Sequence, residues 1–372
     1  MSTENRENTR VKRYNNTKIV VGITGFVLQM AFLQIILLTG FSDYVASHSL
    51  NWVPNAYIAM LIYVVIIGVI DGALFFPLDL YSGFIMEHKY SLSNQTFAGW
   101  LWDELKGVLV SFFVMLVPLL LALYYCIRRF GNLWWLPVAG VVFFFTVLLS
   151  ELAPVLIMPL FYKFSPIEDE ELSRRLTRLA ERLGLKVRGI FSFNMSKSTK
   201  KANAALTGLR RTRRIILSDT LLHNFSPDEI ESVFAHELGH YKHHHIWKGI
   251  AVGAINTFVG LYVVAYLYEL SMSIYGLRGI DDIAALPLLG IFLGLFVVIV
   301  MPFGNLMSRH YERQADKYSI QEMGKEAFIS AMNRLEEINL GDRTPHRIVE
   351  FLFYSHPSIG KRIEMAEKQG RD

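Results

Sequence analysis

His236-Glu237-Leu238-Gly239-His240 sets two imidazoles and a carboxylate within five residues. The surroundings read as helix. Ser226-Pro227-Asp228-Glu229 is a capping box with proline at the first helical position, and Ile230, Val233, Phe234 and Leu238 follow at helical spacing. On a helix, His236 and His240 project from one face, where two imidazoles one turn apart can grip a single zinc ion. Glu237 stands beside them, placed to take a proton from water that the ion has made acidic, since zinc brings the pKa of bound water to about 7.

Catalytic zinc keeps three protein ligands and one open position. The segment Ser308-Arg-His-Tyr-Glu-Arg-Gln-Ala-Asp316 follows directly on an apolar run. Its Glu312 and Asp316 are four apart on one helical face. Glu312 can complete a His-His-Glu set for one Zn2+ per chain. Asp316 can accept a hydrogen bond from the far nitrogen of a ligating histidine and fix its tautomer. Alone, these two residues also read as a solvated charged face at a span end; pairing with the earlier motif favours the metal. His310 competes as a ligand but lies off the Glu312/Asp316 face. Consecutive helical residues point in different directions, so His243, His244 and His245 cannot share one ion and read as an interfacial cluster. With Cys126 as the single cysteine, neither an intrachain disulfide nor a Cys-based zinc site can form.

The elements that must position these groups follow from composition. Of 372 residues 52% are apolar and 19% charged, where soluble domains carry about 25% charged residues. Mean hydropathy is +0.31. Disorder, coiled coil and an ordinary soluble enzyme are excluded as the main theme. Six stretches approach the roughly 20 apolar residues that a span needs: 19–38, 56–76, 108–125, 133–156, 250–267 and 283–306. Trp52, Trp100, Trp102, Trp134, Trp135 and Trp247 sit near their ends, as interfacial anchors do. The first run is too long for a signal-peptide core and no A-x-A site follows, so it is expected to stay as a span.

Arg6, Arg10, Lys12 and Arg13 precede the first span, and the following loop 40–55 has no Lys or Arg. That puts a tail, 1–17, in the cytoplasm, with its first fifteen or so residues unstructured. Residues 18–160 then hold four spans and a polar loop at 79–106. A folded segment, 161–245, carries Leu172, Leu176, Leu179 and Leu183 at helical spacing and short strands at 187–193 and 214–217. Two more spans fill 246–307, and 308–372 completes the metal site. The expected fold class is mainly α: a polytopic helical membrane protein of about six spans with a small α+β catalytic domain.

A net charge of +4 is too small to argue for nucleic acid, which is not expected as a partner. The run Arg210, Arg211, Arg213, Arg214 reads as positive-inside bias with headgroup contact. The expected partners are the bilayer and a peptide or protein substrate, with or without a lipid group. A different class, a metal transporter or zinc-binding membrane protein, draws on His243–His245 and on Asp71 inside the second span.

The chain resembles the integral-membrane zinc metalloproteases of the type I CAAX prenyl endopeptidase family. The likeness rests on the His236–His240 motif, on Glu312-x-x-x-Asp316, and on Tyr354-Ser355-His356-Pro357 with Arg362. It also rests on Asn203-Ala204, Ile215–Leu222 and Glu87–Thr96. The resemblance implies that His236, His240 and Glu312 bind zinc and that Glu237 is the general base. It implies that Asp316 supports a ligand, that His356 donates to the oxyanion and that Arg362 anchors that region. Asn203 and Ala204 would lie on an edge strand that an extended substrate joins. It further implies a zincin-like domain beneath spans enclosing a chamber, with the zinc toward the cytoplasm. The membrane would be the plasma membrane of a prokaryote or the endoplasmic reticulum of a eukaryote. Eukaryotic members have seven spans against six here, and Lys201 stands nearest the position of a family histidine. Both differences point to the prokaryotic branch and leave two substrate classes open: CAAX-type peptides, or damaged and unassembled membrane proteins.

Overall fold

A computed structural model describes residues 3–185, 187–207 and 214–369. The amino-terminal half is made of long apolar helices. α1 (Thr3–Leu38) turns through Gly40, at φ 72°, into the short α2 (Phe41–Trp52). α3 (Ala56–Asp79) continues through a π turn, Leu80–Ile85, into α4 (Met86–Lys89). α5 (Phe97–Val110) passes through Ser111–Leu116 into α6 (Val117–Phe130), and α7 (Trp135–Leu152) through Ala153–Ile157 into α8 (Met158–Phe161). Pro77, Pro118 and Pro154 lie in or beside these three wide turns. Pro118 has no N–H to give the ladder and its ring crowds the carbonyl of Val114, inside Ser111–Leu116, where the helix widens rather than breaks.

Among the described residues, six helices are long and apolar enough to cross a membrane: Glu7–Leu38, Ala56–Lys89, Phe97–Leu133, Trp135–Phe161, His245–Tyr275 and Ile283–Met323. Their apolar side chains point outward; Val69, Phe144 and Val297 are each more than 60% exposed. Hydrocarbon is the surrounding in which that surface is stable. Asp71 accepts a hydrogen bond from Gln29 Nε2 on the neighbouring helix (2.8 Å), so this intramembrane carboxylate has a local partner.

The first fifteen residues were expected to be unstructured, but helix begins at Thr3. The reason is tertiary. Tyr14 is buried and its hydroxyl donates to Glu87 Oε1 (2.6 Å), while Lys201 Nζ donates to Glu87 Oε2 (2.8 Å). Arg10 donates to the Tyr90 carbonyl and Asn15 to that of Leu340. Partners so distant in the chain leave no mark on local composition.

The polar half begins with β1 (Phe164–Pro166), α9 (Glu170–Arg182), β2 (Ile190–Phe193), β3 (Ala204–Thr207) and β4 (Arg214–Ser218). Of the basic run, Arg210, Arg211 and Arg213 lie outside the described residues. The sheet order is β1-β2-β4-β3, with β2 and β4 parallel and both outer pairs antiparallel. Leu172, Leu176 and Leu179 of α9 share one buried core with Ile215 and Leu217 of β4. Each such side chain, fully buried, contributes about 1.5–3 kcal/mol.

α10 (Asp219–Asn224) leads to α11 (Pro227–Lys242), whose Ile230, Phe234 and Leu238 enter the same core. α12 (His245–Ser271) and α13 (Leu286–Met323) are the last spans. α14 (Lys325–Asn339), α15 (Arg347–Phe353) and α16 (Ile359–Gln369) close the chain. The boundary expected at 307/308 falls inside α13. Residues 305–323 contain no glycine or proline, so the backbone stays helical as its side chains change from apolar to charged, until Gly324 at φ 83°.

α11 and α13 cross at Gly239. A Cβ added there would lie 2.7 Å from Ala315 Cα and 3.0 Å from its carbonyl oxygen, backbone that cannot step aside. Gly239→Ala is expected to lower stability by about 1–3 kcal/mol through overpacking. Thermal unfolding of the detergent-solubilised chain measures this; an unchanged midpoint would mean that the crossing does not constrain the fold.

Candidate metal centre

The amino-terminal end of α11 is fixed by its capping box: Ser226 Oγ accepts from the Glu229 N–H and Glu229 Oε2 accepts from the Ser226 N–H. The helix then presents His236 and His240 toward α13, held close at Gly239. One ligand atom each from His236, His240 and Glu312 lie within 4.8 Å of one another. His236 Nε2 and His240 Nε2 are 3.1 Å apart, and each is 3.2 Å from a Glu312 oxygen. Three groups that offer lone pairs thus face one point.

Outside this point the structure fixes where protons sit. Asp316 is fully buried between two donors. Arg362 Nε donates to its Oδ2 (2.9 Å), and His236 Nδ1 donates to its Oδ1 (2.8 Å). With Nδ1 carrying that hydrogen, the neutral His236 ring turns a lone pair at Nε2 inward. Glu312 is buried and its Oε2 receives no hydrogen bond. An orphaned buried carboxylate oxygen between two imidazole nitrogens is costly unless a cation is shared among them, so the donor set fits a divalent metal. Without one, His236 holds a second proton. Burial opposes that charge, but the Asp316 and Glu312 carboxylates outweigh it and push the pKa up to about 9. Desolvation raises the Glu237 carboxyl above the ordinary glutamate value, with the neighbouring imidazoles pulling the other way.

The remaining residues singled out in the sequence fall around this centre. His356 Nε2 lies 3.4 Å from Glu312 Oε1, and its Nδ1 is 2.9 Å from Ser355 Oγ. Asn203 enters β3 and exchanges bonds with Ser218: its N–H donates to Ser218 Oγ and its carbonyl accepts from the Ser218 N–H (both 2.9 Å). β3 is the outermost strand beside β4, so Ala204 lies at a sheet edge. His310 turns to Gln314 Nε2 (3.0 Å) and stays out of the cluster.

One neighbour departs from the sequence reading. His245 was grouped with His243 and His244 as an interfacial patch, yet its Nδ1 lies 3.0 Å from His240 Nδ1 and its Nε2 is 2.8 Å from Gln314 Oε1. The expectation assumed one continuous helix. α11 ends at Lys242, and His244, at φ 57° and ψ 33°, starts a new helix that folds His245 back over His240. Helical spacing carries no signal for such a break.

Comparison with known proteins gives a consistent picture. Residues 166–369 match the model of peptidase family M48, and residues 2–163 match the CAAX prenyl protease amino-terminal region, described as five membrane helices. Four of the six span-length helices begin within that second region. A metalloprotease of Bacillus subtilis is 31% identical over 96% of this chain and 85% of its own length. CAAX prenyl protease 1 of Saccharomyces cerevisiae is 30% identical over 77% of this chain and 67% of its own. The crystal structure of S. mikatae Ste24p superposes with a TM-score of 0.84, covering 97% of this chain and 88% of that one at 24% identity; this likeness concerns the fold.

Metal binding must displace the proton that His236 holds up to about pH 9 in the metal-free state. The apparent metal affinity is therefore expected to rise about tenfold per pH unit between pH 7 and 8 and to level off above about 9. The same raised pKa stabilises the metal-free fold fully below about 6.5, and that contribution is lost as pH rises through about 9. Competition against a chromophoric chelator at several pH values reads the first effect; a flat profile would show that no such proton is displaced.

Proposed function

The chain belongs to peptidase family M48 and is an integral-membrane metalloendopeptidase, and on that premise we propose that it is a zinc enzyme whose ion is held by His236, His240 and Glu312. The observation that carries this reading is the approach of those three ligand atoms to within 4.8 Å across the α11/α13 crossing. Two imidazoles and one carboxylate leave a fourth tetrahedral position open, the pattern of catalytic zinc. The bound ion supplies positive charge that polarises the scissile carbonyl and acidifies water.

The chain's own groups do the rest. The Glu237 carboxylate takes the proton from the attacking water and delivers it to the departing amine nitrogen. Ser355 Oγ–H can donate to His356 Nδ1, which leaves the hydrogen on Nε2, near the cluster, to donate to the oxyanion. Arg362 holds Asp316, and Asp316 holds His236. Substrate lies extended along β3, adding a strand from Asn203 and Ala204. Antiparallel alternation from the Asn203–Ser218 pair turns the N–H and C=O of Ala204 and Leu206 outward, toward that added strand.

The carboxy-terminal peptide of a CAAX-type protein, with its lipid in the bilayer, is the proposed substrate. The alternative is a damaged or unassembled membrane protein. The hydrogen bond from Asn15 to Leu340 supports a catalytic half on the same side of the membrane as the start of α1, and the basic residues there favour the cytoplasm.

Glu237→Gln is expected to keep the metal while cleavage falls by about 10²–10⁴-fold. The assay compares a farnesylated CAAX peptide, its unprenylated twin and an unfolded membrane-protein segment. Cleavage of the first alone assigns the CAAX reading, and cleavage indifferent to the prenyl group assigns the other. Full activity in the Gln variant would overturn the role given to Glu237.

A further inference from the structure

We propose that His245 and Gln314 are positioning residues that set the tautomer of His240, so that its Nε2 presents a lone pair to the metal. This rests on the reading of His240 as a metal ligand, and it deepens that site.

The steps follow from which atoms carry hydrogens. Gln314 Nε2 donates to His310 Nε2 (3.0 Å), which turns Gln314 Oε1, an acceptor without hydrogens, toward His245. His245 Nε2, 2.8 Å from that oxygen, must donate. A neutral imidazole has one N–H, so His245 Nδ1 then accepts. His240 Nδ1, 3.0 Å away, must be the donor, which leaves His240 Nε2 with a lone pair. That nitrogen faces His236 Nε2 and Glu312 Oε1. Turning the Gln314 amide over would reverse every bond in the row and put a hydrogen on His240 Nε2, where a metal must bind. His245 thus does for His240 what Asp316 does for His236, with a neutral ring and an amide in place of a carboxylate.

Two further observations show that His245 is held in place. The residue is 5% exposed and its ring stacks on Tyr311, with centroids 4.3 Å apart and planes 13° from parallel. The turn that delivers it puts His244, a non-glycine residue, in the left-handed region. A backbone state of that kind is disfavoured for a side chain with a Cβ and persists where the surroundings hold it.

The test uses the full-length chain in detergent, stripped of metal, with Zn2+ affinity measured by competition against a chromophoric chelator. His245→Phe keeps a planar ring but offers no acceptor, and affinity is expected to fall about 10–100-fold. His245→Asn, whose amide oxygen can take the place of Nδ1, is expected to recover most of that loss. Gln314→Glu keeps the acceptor and should bind at least as tightly as wild type, whereas Gln314→Leu should bind more weakly. The Gln314 pair is independent of the helix turn and stands even where a His245 variant fails to fold. Co2+ loaded in place of Zn2+ reports ligand geometry through its visible bands, which should change in His245→Phe and Gln314→Leu only. Wild-type affinity in both of those variants, or equal loss in the Asn and Glu variants, would overturn the proposal. His240→Ala separates the two readings: wild-type affinity there would sink the metal assignment itself, whereas lost affinity there with none lost in His245→Phe would sink only this inference.

Discussion

The closeness of α11 and α13 at Gly239 is the constraint on which the rest depends. A helix surface normally keeps its neighbour 8–10 Å away, axis to axis, because side chains intervene. Here glycine faces alanine, and no added Cβ would fit. Two imidazoles on one helix and a carboxylate on the other can then converge without long, flexible reach. A longer side chain at 239 would push the ligand atoms apart before it touched any of them. The glycine inside the motif is therefore part of the metal site, although it contributes no ligand.

α13 also joins two environments. Its first half is a span, and its second half carries Arg309, Glu312 and Asp316, all buried. Arg309 donates to the carbonyls of Glu350 and Tyr354, at the end of α15, and so ties the helix to the segment that bears His356. Glu312 faces α11, and Asp316 meets Arg362 of α16. One continuous helix thus joins the span to the centre and gathers both carboxy-terminal helices around it.

The sequence made much of this legible, for physical reasons that differ by element. Six apolar runs were readable because a span must satisfy its backbone internally and needs a fixed length. The helix carrying His236 and His240 was readable from Ser226 and Glu229, since a capping box is local chemistry. What escaped was non-local. The helix around Tyr14 depends on Glu87 and Lys201, and the position of His245 depends on one left-handed residue, His244. The run of α13 beyond the membrane escaped for the opposite reason: composition changes at Ser308 while the backbone does not. Boundaries drawn from polarity mark where solvent begins, and a helix need not end there.

The two carboxylates on α13 differ in a way that links the metal to folding. Asp316 is wholly buried but accepts from both Arg362 and His236, so its charge is compensated within the protein. Glu312 is almost as buried, and one of its oxygens lacks a hydrogen bond. A buried polar atom left unpaired costs about 1–3 kcal/mol, and more for a charged group. The metal-free centre carries that cost, moderated by the proton held on His236. A cation placed among the three groups relieves the carboxylate and displaces the proton in one event. Binding free energy therefore also becomes stability of the α11/α13 crossing, because the unfolded chain has no preformed site to offer the ion. Asp316 is satisfied by the protein whether or not a metal is bound, whereas Glu312 Oε2, without a metal, depends on the proton held on His236 Nε2, 3.2 Å away.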